Sequence, residues 1–158
     1  MKKTITLLLL VAGMVTVAQN YDERFTLSIN SEPNAWIKDG LNIGLEIEYQ
    51  MTYLYFKAGT FQFPNLNGVG YSQFHAVPIG FNLHSKFRDL RGFVGLIGGI
   101  NIREGNSNPV AGIEGGIEWY CRGVGIGVQS NYLKRSDAKF YGGNDWVLNT
   151  SVKFIIEL

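Results

Sequence analysis

Between Gly44 and Phe56 the chain reads GLEIEYQMTYLYF, in which Leu45, Ile47 and Tyr49 alternate with Gly44, Glu46, Glu48 and Gln50. Successive strand side chains point to opposite faces, so this segment as a strand carries one apolar face and one charged face. The same two-residue period recurs along the chain and predicts eight strands, at about 22–30, 41–51, 52–63, 74–85, 91–103, 109–121, 124–134 and 145–158. The breaks between them are rich in Gly, Pro, Asn, Asp and Ser, the residues that supply tight turns. Most of these strands come close to the roughly 9–11 residues that a tilted strand needs to cross a bilayer.

One face of the set is uncharged from end to end. It holds Leu41, Ile43, Leu45 and Ile47, then Val77, Ile79, Phe81 and Leu83, then Val94, Leu96, Ile100 and Ile102, and ends with Val152, Phe154, Ile156 and Leu158. The other face carries Arg24, Glu46, Glu48, Lys57, His84, Arg103, Glu114, Glu118, Lys153 and Glu157, interspersed with Gly44, Gly59, Gly80, Gly95, Gly99, Gly112, Gly116, Gly125 and Gly127. A water-facing surface gains nothing from so many strand glycines. The narrow interior of an eight-stranded barrel does, because large and small residues must alternate to fill it. The expected fold is all-β: an eight-stranded antiparallel up-and-down transmembrane β-barrel with a polar, side-chain-filled interior. Its inward charges nearly balance, so an internal ionic network is expected rather than an open pore.

Connection lengths support this reading. SEPNAWIKDG, PNLNGVGYSQ and RSDAKFYGGN, with the shorter EGNSN, alternate with tight turns near Met51-Thr52 and Arg122-Gly123 and with the intermediate SKFRDL. Long connections at one end and short ones at the other are the asymmetry of outer-membrane barrels. On the apolar face, Tyr49 and Trp119 fall at one edge and Tyr132 and Trp146 at the other, as interfacial aromatic girdles would.

The first residues add a location. Met1-Lys2-Lys3, an apolar run from Ile5 to about Val17, and Thr16-Val17-Ala18 have the layout of a secretory signal peptide, so residues 1–18 are expected to be cleaved and 19–158 to form the barrel domain. The run is shorter than the roughly 18–20 residues of a spanning helix. Composition is ordinary for a folded chain, at 46% hydrophobic and 17% charged. Beyond residue 18, 12 basic residues face 13 acids, a near balance that argues against a nucleic-acid partner. The lone Cys121 excludes an internal disulfide.

Signal peptide, alternating strands and an apolar terminal residue together resemble the small Gram-negative outer-membrane barrels of the OmpA and OmpX type. FHAVPIGFNLH followed by GFVGLIGGINIR resembles the paired middle strands of the porin-like outer-membrane β-barrel family, where a proline interrupts a strand that leads into a glycine-rich one. The resemblance implies residence in the cell outer membrane among lipid and lipopolysaccharide, and recognition by the barrel-insertion machinery. The chain departs from many such barrels by ending in Leu158 rather than Phe.

Chemistry-bearing patterns are few. His84-Ser85 invites comparison with outer-membrane lipid A deacylases, but adjacent strand residues point to opposite faces, so the two are not expected to meet. Glu46/Glu48 and Glu114/Glu118 are expected to pair with Lys57, Arg103 or Lys153 rather than to flank a glycosidase cleft. GVGIG at 123–127 lacks the strand-then-helix setting of a dinucleotide loop. No catalytic, cofactor or metal residues are assigned. Trp36, Lys134, Arg135, Lys139 and Tyr141, in or beside external connections, are the candidate recognition surface, with lipopolysaccharide phosphates as possible targets of the basic residues. The expected role is non-enzymatic, structural or surface-interacting; the rivals are a lipid-modifying outer-membrane enzyme and a soluble lipocalin-like binder with the apolar face turned inward.

Overall fold

The computed structural model describes residues 23–36, 41–63, 70–85, 87, 89–136 and 145–158. Eight antiparallel strands run in chain order around a closed barrel: β1 (Arg24–Ser31), β2 (Ile43–Gln50), β3 (Leu54–Phe63), β4 (Tyr71–His84), β5 (Leu90–Arg103), β6 (Asn106–Cys121), β7 (Val124–Arg135) and β8 (Trp146–Glu157). The seam is β1 against β8, with Leu27 opposite Ile156 and Ile29 opposite Phe154. One helical turn, Pro33–Trp36, sits between β1 and β2. The signal-peptide segment 1–18 lies outside the described residues.

The opening alternation resolves in one direction. Leu45 is 48% exposed on the outer wall, while Glu46 beside it is 1% exposed inside. The outer wall is a belt of Leu, Ile, Val and Phe, among them Ile43, Ile47, Phe81, Val94, Ile117 and Phe154. Each such side chain loses roughly 1.5–3 kcal/mol of transfer free energy if water, rather than hydrocarbon, surrounds it. A continuous apolar belt around a closed barrel is the surface of a transmembrane β-barrel. Among the described residues no helix is long and apolar enough to cross a membrane.

The two ends differ. At the turn end, residues 51–53, 85–89 and 122–123 join strands, and β1 begins and β8 finishes there. At the loop end lie connections 32–42, 64–70, 104–105 and 136–145. The sequence reading grouped EGNSN with the longer loops; instead, Glu104-Gly105 alone makes the connection, and Asn106 pairs with Arg103. Glu104 and Gly105 have φ of 51° and 79°, and Arg122 and Gly123 have 50° and 84°. Positive φ at both central residues matches the right-handed twist of the flanking strands, which is why these two turns close in two residues.

Strand β4 departs from the two-residue count. Val77, assigned above to the apolar outer set, is 1% exposed inside the barrel. Pro78 has no N–H to give the ladder, and pairing with β5 shifts register between Ala76 and Ile79. Across this bulge the phase of the strand reverses: Gln73, His75 and Val77 point inward before it, and Gly80 and Asn82 after it. A simple two-residue count cannot pass such a point. Leu54, which the two-residue count places outward together with Phe56 and Ala58, is also buried rather than exposed.

Glycines set the interior packing. Four large inward rings each lie directly opposite a glycine on a neighbouring strand: Tyr55 opposite Gly80, Phe61 opposite Gly44, Phe93 opposite Gly116, and Tyr120 opposite Gly125. A Cβ on Gly44 would lie 2.7 Å from Phe61 Cζ, one on Gly116 2.7 Å from Phe93 Cζ, and one on Gly80 would overlap the Tyr55 ring. Tyr55, Val77, Phe93, Ile97, Val110 and Leu133 form a buried apolar cluster within the otherwise polar lumen.

These contacts separate two glycines on neighbouring strands. Gly80→Ala should destabilise the folded barrel by about 1–3 kcal/mol through overlap with Tyr55. Gly92→Ala, whose Cβ would meet nothing within 4 Å, should be neutral or gain roughly 0.5 kcal/mol. Urea titration of the refolded barrel, followed by the shift of its folded band in unheated gels, reads both.

Candidate functional site: an ionic network across the lumen

The inward carboxylates come from β2 (Glu46, Glu48) and β6 (Glu114, Glu118), on opposite sides of the barrel, and the cations from β3, β5 and β8. A carboxylate inside a membrane-embedded wall must find a cation or hydrogen-bond donors, because removing it from water costs several kcal/mol. Here the partners reach across the lumen. Lys57 Nζ lies 2.6 Å from Glu114 Oε2 and 3.5 Å from Glu46 Oε2. Lys153 Nζ lies 2.7 Å from Glu118 Oε1 and 3.4 Å from Glu46 Oε2. Arg91 pairs with both Glu48 and Glu118, so three cations tie four carboxylates into one cluster.

Neutral groups complete it. Tyr55 Oη donates to Glu114 Oε1 at 2.6 Å, and Tyr120 Oη donates to Glu118 Oε2 at 2.7 Å. Gln129 Nε2 donates to Glu46 and Glu114, while Gln129 Oε1 accepts from Lys57 Nζ at 2.9 Å. His75 Nε2 lies 2.9 Å from Glu46 Oε1, and its ring stacks on Phe61 at 6.0 Å between centroids. Arg91 also sits over the rings of Phe93 and Tyr55, at 4.6 and 4.8 Å from their centroids. These links join β2, β3, β4, β5, β6, β7 and β8 through the middle of the barrel. They fill the passage with side chains held from both sides.

Of the residues assigned inward from sequence, Glu46, Glu48, Lys57, Glu114, Glu118 and Lys153 are brought together in this cluster. Arg24 and Glu157 form a separate pair at the turn end, where Arg24 also lies over the Tyr120 ring at 5.1 Å. Arg103 is not in the cluster; it sits at the loop-end mouth, 5.9 Å from the Tyr71 ring centroid. His84 shares the inward face of Asn82 at the turn end, opposite Arg91 in the strand register, outside the cluster.

Arg91 and His75 were missed. Arg91 is 0% exposed and holds two carboxylates, yet as the first residue of the expected strand 91–103, beside SKFRDL, it carries no inward assignment in the sequence reading. The parity that turns Gly95, Gly99 and Arg103 inward applies to it too. His75 was hidden by the Pro78 bulge.

The girdle residues stand at the two edges of the apolar belt. Tyr49 packs on Phe25 at 4.7 Å near the turn end, where Trp119 is also exposed; Tyr132 and Trp146 stack at 4.8 Å and 15° at the loop end. Of the recognition candidates, Trp36 is exposed and donates through Nε1 to Ser31 Oγ at 2.9 Å. Lys134 lies in β7, within the strand bounds expected from sequence, whereas Arg135 corrects the sequence reading, because it is the last residue of β7 rather than the first of the loop. Lys134 points outward; Arg135 points inward, 7% exposed, with its guanidinium 4.7 Å from the Tyr71 ring centroid. Lys139 and Tyr141 lie outside the described residues.

His84 and Ser85 do not form a catalytic pair. Ser85 Oγ donates to Asp89 Oδ1 and accepts from Leu90 N at 3.2 Å, which stitches the turn together. The Ser85 hydrogen bond holds the exposed Asp89 carboxyl below the ordinary aspartate range. Among the described residues no group of His, Cys, Asp and Glu is arranged to hold a metal.

Known structures share the architecture. The N-terminal β-barrel domain of Pseudomonas aeruginosa OprF superposes with a TM-score of 0.60 at 10% identity, covering 85% of this chain and 97% of that one. Neisserial surface protein A superposes with a TM-score of 0.52 at 10% identity, covering 86% and 96%. At such identity the likeness concerns the fold. No family model and no curated protein sequence matches the chain.

The cluster makes a two-step prediction. Arg91→Ala leaves Glu48 with only Lys153 Nζ at 4.0 Å and takes one of the two cations from Glu118, and should destabilise the barrel by about 3–5 kcal/mol. Adding Glu48→Gln should restore part of that loss, since Glu118 keeps Lys153. A double-mutant cycle in urea measures the coupling; strictly additive losses would contradict the shared-cation geometry.

Proposed function

We propose that this chain is a non-enzymatic outer-membrane barrel, exported with a cleaved signal peptide, that serves as a membrane-embedded scaffold and offers its loop end to the exterior. The observation that carries this reading is the pairing of an apolar outer belt with a lumen crossed by mutually satisfied charges. The belt demands hydrocarbon outside. Among the described residues, Glu46, Glu48, Glu114 and Glu118 are buried and paired with Lys57, Arg91 and Lys153, which favours a scaffold over a solute-selecting pore or a hydrolase. Ser85, which a hydrolase would need beside His84, is committed to Asp89.

Both chain ends of the described barrel lie at the turn end. A chain delivered from the inner side of the outer membrane keeps its termini there, so the loop end faces outward in this reading. The shared fold of the OprF and Neisserial surface protein A barrels supports the membrane setting. Lipopolysaccharide is then the lipid that surrounds the loop-end girdle, and the barrel-insertion machinery is the partner during assembly.

Expression in a Gram-negative host tests the reading. The chain should appear only in detergent-extracted outer membranes, with a mass corresponding to cleavage after Ala18, and should produce no stepwise conductance in planar bilayers. Recovery in the detergent-free periplasmic fraction would overturn the membrane assignment. Regular large conductance steps would overturn the closed lumen.

A further inference from the structure

Around the whole barrel, outward-facing positions of the described strands are uncharged except one. Lys134, at the loop end of β7, points away from the lumen and is exposed. A lone ammonium on the lipid wall is costly at the bilayer centre, but at its edge the apolar stem lies along the wall and the charge reaches the headgroups. Lys134 stands at that edge: in the strand register it is directly opposite Trp146, whose ring stacks on Tyr132 two residues earlier on β7.

The other side of Lys134 is hollow. Its partner on β6 is Ala111, with Pro109 beyond, and beside these short side chains lies a recess of about 280 Å³ lined by Pro109, Ala111, Lys134, Ser136 and Asp145 together with Val110 and Arg135. The recess has a fixed frame, since Ser136 Oγ donates to Pro109 O at 3.3 Å and Arg135 N donates to Asp145 O at 2.8 Å. Among the described residues the Lys134 ammonium meets no carboxylate within ion-pair distance. The neighbouring guanidinium of Arg135, by contrast, turns into the barrel.

We propose that Lys134, the Tyr132–Trp146 stack and the Ala111–Pro109 recess form a seat for the phosphate-bearing headgroup of an anionic membrane lipid, with lipid A the occupant in the outward leaflet. The ammonium pairs with a headgroup phosphate, the recess admits the headgroup beside it, and the stacked rings mark the depth at which both sit. Arginine would preserve this pairing, since it too donates to phosphate. Methionine would keep the stem and lose the charge. The seat rests on the membrane reading proposed above and deepens it at one point on the wall.

Native mass spectrometry of the full-length refolded barrel tests the seat, with bisphosphorylated lipid A, the same lipid stripped of its phosphates, phosphatidylcholine and inorganic phosphate as probes. Lipid A should be retained by the wild type and by Lys134→Arg. Retention should fall about five-fold or more with Lys134→Met or with the phosphate-free lipid. The seat is overturned if Lys134→Met retains lipid A as the wild type does, or if the phosphate-free lipid is held equally well. It is overturned as a lipid seat if millimolar inorganic phosphate displaces lipid A, because a free-anion site would do the same. Insertion of the same preparation into vesicles is scored in parallel. Failure to insert removes the membrane reading and the seat with it, whereas insertion with lipid A retention insensitive to Lys134→Met removes only the seat.

Discussion

A barrel of eight strands has room inside for side chains and little else, and its outside wall is apolar. Charge on this chain therefore has only the lumen or the ends to occupy. In the lumen every carboxylate must be matched at short range, because a charge moved out of water without a partner is far more expensive than any single packing defect. The Lys57, Arg91 and Lys153 bridges to Glu46, Glu48, Glu114 and Glu118 meet that constraint collectively. Each cation serves two carboxylates or more, so the strands that carry them are fixed relative to one another in height as well as in order. The register of the sheet and the geometry of the ion pairs are thus two expressions of one requirement.

The glycines are the steric half of the same requirement. Four aromatic rings do not fit into so narrow a cylinder unless the wall opposite each is reduced to backbone. Gly80, Gly44, Gly116 and Gly125 provide that reduction for Tyr55, Phe61, Phe93 and Tyr120. Gly59 and Gly127 do it for the stems of Glu46 and Glu118, whose Cγ atoms would lie 2.6 and 2.8 Å from an added Cβ. The strand weakness that glycine brings is offset by the ring or acid stem packed onto it.

How much of this could be read from the chain follows from where the two-residue period holds. It holds along β2, so Glu46 and Glu48 were legible as inward and Leu45 as outward. It fails at Pro78, where the bulge reverses the phase, and Val77 and His75 were consequently misplaced or overlooked. It is ambiguous at strand ends: Arg91 opens its strand with no face assigned, Arg135 looks like loop, and Asn106 like part of a connection, although all three are in the ladder. Which lysine meets which glutamate depends on strand stagger around the closed barrel, which local sequence does not encode. The sequence established the membership of the cluster better than its pairings.

Compared with charge in the lumen, charge is arranged differently at the loop end. There the strand pattern changes character: Arg103 and Arg135 converge on the Tyr71 ring at the mouth, while Lys134 turns the opposite way toward the lipid boundary. Consecutive residues of one strand, Lys134 and Arg135, thus present positive charge to two different surroundings, one inside the mouth and one on the wall. Since alternation alone dictates that split, moving either residue by one position would exchange the surroundings, placing a guanidinium in lipid and an ammonium in the mouth.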